Sequence, residues 1–338
     1  MKLVIQIPCL NEEEQLPETL AQLPRQVPGV TSVEWMVIDD GSTDTTVAKA
    51  LENGVDHVVK LPKNKGLAYA FQAGLDAALK IGADIIVNTD ADNQYDASCI
   101  ADLVAPIVSK DAELVIGERD LRNHQEFSSV KIRLQLFGSW VVRKASATDV
   151  GDATTGFRAY SREAAIGLAV VNNYTYTIES IIQAGKSNTA IKSVPIRTNP
   201  KTRDSRLFGS MWGYVRRNAV TITRAFAAYE PLKFFGRAAA VLLIAAIISF
   251  VPFLWDWVRT GDTNGHLQSI ILGAILTLGS MQLFSIGVLA DLIYSNRVIT
   301  QRALEKLRRI ELETQVQPSD YLDLTELENS PEAKTVSS

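Results

Sequence analysis

The chain has 338 residues, 46% of them apolar, and a formal net charge of −4. That length holds one large domain with an appendage, or two domains. So small a net charge excludes a nucleic-acid binder working through its overall field, and two distant cysteines, Cys9 and Cys99, exclude a disulfide framework. Both thiols are expected to be reduced core residues of a cytosol-facing domain.

From the N-terminus, short β-rich runs alternate with helical patterns. Strands are predicted at Leu3–Ile7, Trp35–Ile38, His57–Leu61, Asp84–Thr89 and Glu113–Ile116. Helices are predicted at Glu12–Leu23, Thr45–Glu52, Leu67–Ile81 and Ala97–Ser109. The alternation argues an α/β fold, a mostly parallel sheet with helices on both faces. The strands are continuously apolar, as strands buried on both sides are. The first apolar run ends at Leu10 against Asn11 and three glutamates, without a small-residue cleavage site, so it does not read as a signal peptide.

Ligands of such sheets bind beyond the carboxyl ends of the strands. Polar residues gather there after the first, second and fourth strands: Pro8–Glu12, Asp39–Asp44 and Asp90–Asp96. Asp90 and Asp92 can turn toward one hard cation while Ala91 lets the backbone pass close, and Gln94 can add a neutral oxygen. Taken alone, an Asp-x-Asp is often only a solvated turn. Asp39 and Asp40 exceed what a turn and a helix cap from Ser42 or Thr43 require, so they are candidates for a base or ribose. Lys65, beside Gly66 at a helix start, suits a phosphate, as does Arg119 past its strand. Asp152 opens a small, polar segment reaching Arg158 that can shape a sugar and acceptor pocket. Glu179 falls in a helical run, Thr177–Ala184, and either reaches the pocket or caps that helix.

The last third reads differently. Residues 201–237 hold eight Lys/Arg against Asp204 and Glu230. Arg203 and Arg206 open this basic collar, where paired guanidinium groups match a lipid phosphate. Residues 208–235 mix aromatics with arginines, as membrane-surface helices do. Two runs without a charge follow, Ala238–Trp255 and Leu267–Ala290, each close to the ~20 residues that span a bilayer. Trp255 and Trp257 sit where an interfacial aromatic belt falls. Lys233 and Arg237 precede the first span, and Arg297, Arg302, Lys306, Arg308 and Arg309 follow the second, so both flanks are expected in the cytoplasm. Small residues of the second span permit close helix packing, including between copies of the chain. The acidic stretch 311–338 reads as a solvated, disordered tail.

With these residues assembled, the chain resembles inverting family-2 glycosyltransferases of the GT-A fold, and within them the polyprenyl-phosphate glycosyltransferases, such as dolichyl-phosphate mannose synthases. The matching segments are Ile7–Glu12, Val37–Ser42, Asn64–Gly66, Asp90–Gln94, Gly117–Arg119, Thr155–Arg158, and Val194–Ile196 followed by Arg203 and Ser205. Cys9-Leu10 departs from the pattern, since relatives often carry an aromatic before the Asn. The resemblance implies that Pro8, Asn11 and Glu12 line the nucleotide with Asp39, Asp40 and Lys65. It implies that Asp90, Asp92 and Gln94 surround Mg²⁺ or Mn²⁺ and the donor diphosphate, Ala91 lying between them. Arg119 and Arg203 would bind phosphate groups of donor or acceptor, and Asp152 would orient the acceptor or take a proton. The implied partners are a nucleotide sugar (a UDP-sugar favoured, GDP-mannose possible), a polyprenyl phosphate and the membrane, not nucleic acid. Processive relatives carry Gln-x-x-Arg-Trp and more spans, so transfer of one sugar is favoured. Transfer to a sugar or glycolipid hydroxyl, or nucleotide-sugar binding without turnover, are the alternatives. The domains expected are a GT-A domain over 1–207, juxtamembrane helices over 208–235, two transmembrane helices within 236–293 (about 238–258 and 267–291), and a cytoplasmic helix with its tail over 294–338.

Overall fold

A computed structural model describes residues 1–119, 142–143, 146, 148–170, 176–199, 223–224, 227–261, 265–314 and 321–322. The chain divides into two compact units, residues 1–210 with 302–338, and residues 211–301.

The first unit is built on one sheet. Its strands are β1 (Lys2–Cys9), β2 (Ser32–Asp39), β3 (His57–Lys60), β4 (Ile85–Asn88), β5 (Leu114–Arg119), β6 (Arg158–Ser161), β7 (Ile191–Ile196) and β8 (Tyr321–Leu322), in the order 7-5-6-4-1-2-3-8. β3, β2, β1 and β4 run parallel, β6 is inserted antiparallel between β4 and β5, and β8 runs antiparallel on β3. The helices are α1 (Leu16–Gln22), α2 (Thr46–Glu52), α3 (Leu67–Lys80), α4 (Ile100–Val108), α5 (Arg162–Gly167) and α6 (Tyr176–Lys186).

Alternation along β1 divides the core. Leu3, Ile5, Ile7 and Cys9 join a buried cluster with Leu16 and Leu20 of α1 and Leu103 and Val104 of α4. Side chains of this size contribute about 1.5–3 kcal/mol each when fully buried. On α3, Phe71, Leu75 and Ala78 are buried, and the helix lies so near the sheet that a Cβ on Gly74 would come 2.5 Å from Gln6 and 2.8 Å from Ile38. Only glycine permits that approach.

The order of β2, β1 and β4 puts the reversal of the sheet's winding at β1, the place where ligands of such sheets bind. Thr89 N–H donates to the Gln6 carbonyl, so even-numbered residues of β1 face β4. Paired register ends at Gln6 and Asn88. Pro8 therefore lies past the last paired residue of β4, where its missing N–H costs no ladder bond.

The predicted α1 is shortened. Asn11 has φ +53°, Glu12 to Gln15 form turns, and Pro17 fixes the helix start at Leu16. The strand β6 was not foreseen. The expectation of a wholly solvated tail is corrected at Tyr321–Leu322, which add to the edge of β3, pairing Tyr321 with Val59 and Leu322 with Val58. Open edges favour such cover.

The second unit contains α7 (Pro231–Thr260) and most of α8 (Leu267–Glu313), two helices long and apolar enough to cross a membrane. Their large apolar side chains are mostly exposed, among them Val241, Ile248, Ile275 and Leu278, which is not how core helices of a soluble protein look. Gly273, Ser280 and Gly287, seven residues apart, form the buried seam of α8. A Cβ on Gly273 would lie 2.6 Å from the Phe250 ring, and Ser280 Oγ donates to the Ala239 carbonyl at 2.8 Å. These small residues thus pack the hairpin onto itself. Most of 208–230, including most of the expected juxtamembrane helices, lies outside the described residues, and 231–235 belong to α7. In the first unit, Arg308 of α8 pairs with Asp76 at 3.1 Å and Arg309 with Glu163 at 2.6 Å.

Candidate active site

The carboxyl ends of β1 and β2 are fastened together by their loops. Asn11 N–H donates to Ser42 Oγ and Asn11 Oδ1 accepts from Thr43 N–H, at 2.9 and 2.8 Å. Glu12 N–H donates to Thr46 Oγ1 at 2.9 Å. Ser42 and Thr43 therefore do not cap α2; Asp44 Oδ1 accepts the Thr46 N–H instead. Asn11, expected at the nucleotide, also spends its side chain on this fastening.

The two acids of β2's end divide their work. Asp40 accepts the N–H groups of Lys65 and Gly66 at 2.7 and 2.8 Å, fixing the entry to α3. Asp39 is fully buried; its Oδ1 accepts the Ser42 N–H at 2.9 Å and its Oδ2 has no hydrogen-bond partner. Buried carboxylate oxygens normally have partners, so Oδ2 is an acceptor at the end of β2 with capacity to spare. Base or ribose contact thus suits Asp39 better than Asp40. Lys65 Nζ bonds the Tyr69 hydroxyl at 3.1 Å and lies over its ring.

β4 delivers the Asp-x-Asp segment. Ala91 is buried and its carbonyl accepts Thr19 Oγ1 at 2.8 Å, which turns that peptide toward α1. Asp92 Oδ1 accepts the Gln94 N–H at 3.3 Å, and the Gln94 carbonyl accepts from Asn199 N–H at 2.9 Å. Burial, then the neighbouring Asp92 charge, push the Asp90 carboxyl up to about 7, against the opposing pull of Arg119, Tyr95 and Arg158. Burial and the carboxylates of Glu12, Asp39, Asp44 and Asp90 likewise push the Cys9 thiol well up. Negative charge is therefore concentrated at the ends of β1 and β4.

That concentration tests the fit of a divalent ion. Among the described residues no three His, Cys, Asp or Glu side chains make a ready protein cage. Asp90 and Asp92 offer hard oxygen ligands whose mutual repulsion a cation would relieve. Two carboxylates completed by substrate phosphates is the usual habit of Mg²⁺. The donor set fits, with Gln94 beside it.

A third segment closes on the same place. A Cβ on Gly156 would lie 3.1 and 3.2 Å from the two Asp90 carboxylate oxygens, so the 152–158 segment rests against Asp90. Arg119 ends β5 and reaches back to it: Nε donates to Asp152 Oδ2 at 2.6 Å, and Nη2 to Asp152 Oδ1 at 3.2 Å and Thr154 Oγ1 at 2.9 Å. Asp152 is buried, which alone would raise its pKa, but Arg119 and the Thr154 bonds bring it below the ordinary carboxylate value. Burial opposes the charge on Arg119, and Asp152, together with Tyr95 and Asp90, more than restores it. The proton-accepting role expected of Asp152 does not suit a carboxylate so engaged; it holds Arg119 in place.

Sequence alone names Arg158 only as the end of the 152–158 segment and assigns no role to Gln6 or Asn88. Arg158, fully buried, donates to the carbonyls of Thr155, Thr177 and Ala153 and to Ser180 Oγ, building the segment from beneath. Gln6 donates to Asn88 Oδ1 at 2.9 Å, and Asn88 Nδ2 donates to the Gly156 carbonyl at 2.9 Å. Polar Gln6 and Asn88 inside strands buried on both faces were the available signal. Glu179 is buried within α6. Arg203 and Arg206 lie outside the described residues.

Comparison with known proteins places the chain among glycosyltransferases. The profile of glycosyl transferase family 2 matches residues 4–168. A UDP-N-acetylglucosamine–dolichyl-phosphate N-acetylglucosaminyltransferase of Methanococcus voltae is 30% identical over 214 residues, 57% of this chain and 83% of the relative. An undecaprenyl-phosphate mannosyltransferase of Micrococcus luteus is 28% identical over 235 residues, 66% of this chain and 93% of the relative. Among solved structures, glucosyl-3-phosphoglycerate synthase of Mycobacterium tuberculosis, in complex with Mn²⁺, UDP-glucose and phosphoglyceric acid, superposes with a TM-score of 0.52 at 22% identity, covering 65% of this chain and 79% of that one. The fold is GT-A.

Proposed function

The chain belongs to glycosyltransferase family 2, and on that premise we propose that it moves one sugar from a nucleotide sugar to a polyprenyl phosphate at the cytoplasmic face of a membrane. The observation that carries the reading is the convergence of Asp90, the Gly156 segment and the Arg119–Asp152 pair at one sheet edge, in a chain that also holds two membrane-length apolar helices. The relatives named for dolichyl-phosphate and undecaprenyl-phosphate transfer supply the acceptor class.

In this reading Asp39 Oδ2 accepts from the base or ribose, and Pro8 and Glu12 line that part of the cleft. Lys65 stands at the start of α3 for a phosphate. Asp90 and Asp92, with Gln94, hold a Mg²⁺ or Mn²⁺ ion, which when bound would offset charge on the departing diphosphate. Arg119 is kept cationic and aimed by Asp152 and Thr154, and serves a phosphate of donor or acceptor; Arg203 is assigned to the acceptor. A phosphate monoester has a second pKa of about 6, so the attacking oxygen is already ionised near neutral pH. The reaction then asks for positioning and charge neutralisation more than for a base, and attack in line on the anomeric carbon inverts it. The engagement of Asp152 favours this over a hydroxyl acceptor, which would need a proton acceptor beside it. The basic flanks Lys233, Arg237, Arg297, Arg302 and Lys306 put the catalytic domain and both termini in the cytoplasm.

The test is direct. Purified full chain, given a panel of UDP- and GDP-sugars, is expected to release nucleoside diphosphate only when polyprenyl phosphate is added. Release that ignores the lipid phosphate, or requires a sugar hydroxyl instead, would contradict the assignment.

A further inference from the structure

Tyr95 lies three residues past Asp92 and is 7% exposed. Its ring stacks on Phe157 with centroids 5.0 Å apart and planes 9° from parallel. Its backbone is held too: the carbonyl accepts from Asn199 Nδ2 at 3.4 Å. The ring therefore has one place to stand, and the hydroxyl is the end left to act.

That hydroxyl accepts the Gly156 N–H at 3.1 Å. A phenol accepting through a lone pair still carries its own proton to donate. The Asp90 carboxylate and the Thr155 side chain lie within its electrostatic reach. Asp90 at the same time lies close to Gly156, where an added Cβ would come 3.1 and 3.2 Å from its carboxylate oxygens. One hydroxyl thus joins the Asp-x-Asp segment to the segment that carries Asp152 and Thr154, the partners of Arg119.

We propose that the Tyr95 hydroxyl is a positioning group: it orients the Asp90 carboxylate for a divalent cation and ties that orientation to the Gly156 segment. The inference rests on the metal-dependent reading above. Its competitor is plain core packing through the Phe157 stack, and the two separate cleanly. Tyr95→Phe removes the hydroxyl and keeps the stack; Phe157→Leu removes the stack and keeps the hydroxyl.

Mn²⁺ binding to the purified full chain, followed by electron paramagnetic resonance, reads the difference without turnover. Partners behind a metal ligand typically change affinity about 10–100-fold, and Tyr95→Phe is expected to weaken Mn²⁺ binding by that much. It should also lower kcat while the KM for polyprenyl phosphate holds. Phe157→Leu should unfold at lower temperature yet bind Mn²⁺ like the parent. The proposal is overturned by Tyr95→Phe binding Mn²⁺ like the parent, by Phe157→Leu weakening it equally, or by failure of Tyr95→Phe to fold, which would assign the hydroxyl to the scaffold. A parent chain that binds no Mn²⁺ would instead sink the metal reading itself.

Discussion

Replacing Asp90 by Asn should make the protein more stable at alkaline pH and inactive. The Asp90 carboxyl is raised from 3.8 to about 7, first by burial and then by Asp92. Below about pH 4 folded and unfolded chains both hold this proton, so it contributes nothing. Between about pH 4 and 7 the unfolded chain releases it and the folded chain keeps it, so stability falls as pH rises. Above about 7 the full cost is present: about three units at about 1.36 kcal/mol each, or at most about 4 kcal/mol. At roughly 2–4 °C per kcal/mol for a domain of this size, Asp90→Asn should unfold on the order of 10 °C higher at pH 8 and near the parent at pH 4. The assay is thermal unfolding in EDTA across that range, repeated with Mn²⁺. Saturating cation should recover stability in the parent, by about 2.7 kcal/mol at a hundredfold excess over Kd, and far less in the variant. A variant that keeps the parent's pH slope would refute the reasoning, because Asp90 would then not be the group carrying that proton.

Three further outcomes follow from the same geometry. Asp92→Ala should lower transfer at least roughly 100-fold while the chain still folds and inserts, checked by lipid-dependent diphosphate release beside circular dichroism; metal-independent turnover like the parent's would contradict it. Arg119→Ala leaves Asp152 buried without its counter-charge and should cost about 3–5 kcal/mol in chemical denaturation. Because Asp152 titrates below its ordinary value in the folded chain, the stability it contributes is present above about pH 4 and lost as pH falls further, and Arg119→Ala should lose that acid dependence. Gly273→Leu drives a side chain into the Phe250 ring and should loosen the hairpin, read as faster proteolysis of α7 and α8, with diphosphate release in detergent changed much less.

Much of the fold was legible because period and composition carry it. Continuous apolar strands alternating with amphipathic helices dictate a parallel sheet, and two long uncharged runs dictate membrane-length helices, since both signals are local to the chain. The strand ends with surplus acids also announced where carboxylates would gather. β6 was not legible: four residues opening on an arginine form a strand only because β4 and β5 are already there to pair with it. β8 escaped for the same reason, being two residues that become strand by adding to an edge.

The division of labour among the acids was likewise beyond reach of the chain alone. Asp39 and Asp40 are adjacent in sequence, yet one is spent on the amides of Lys65 and Gly66 and the other keeps an oxygen without a partner. Asp152 looked like a base until Arg119, thirty-three residues earlier, was seen to hold it. Residue type and spacing determined that this protein would gather carboxylates at a sheet's rim and carry two membrane-length apolar helices. Which carboxylates are engaged, which are charged, and that Tyr95 stands among them were decided by tertiary packing, because hydrogen-bond partners and local dielectric are properties of neighbours in space rather than in sequence.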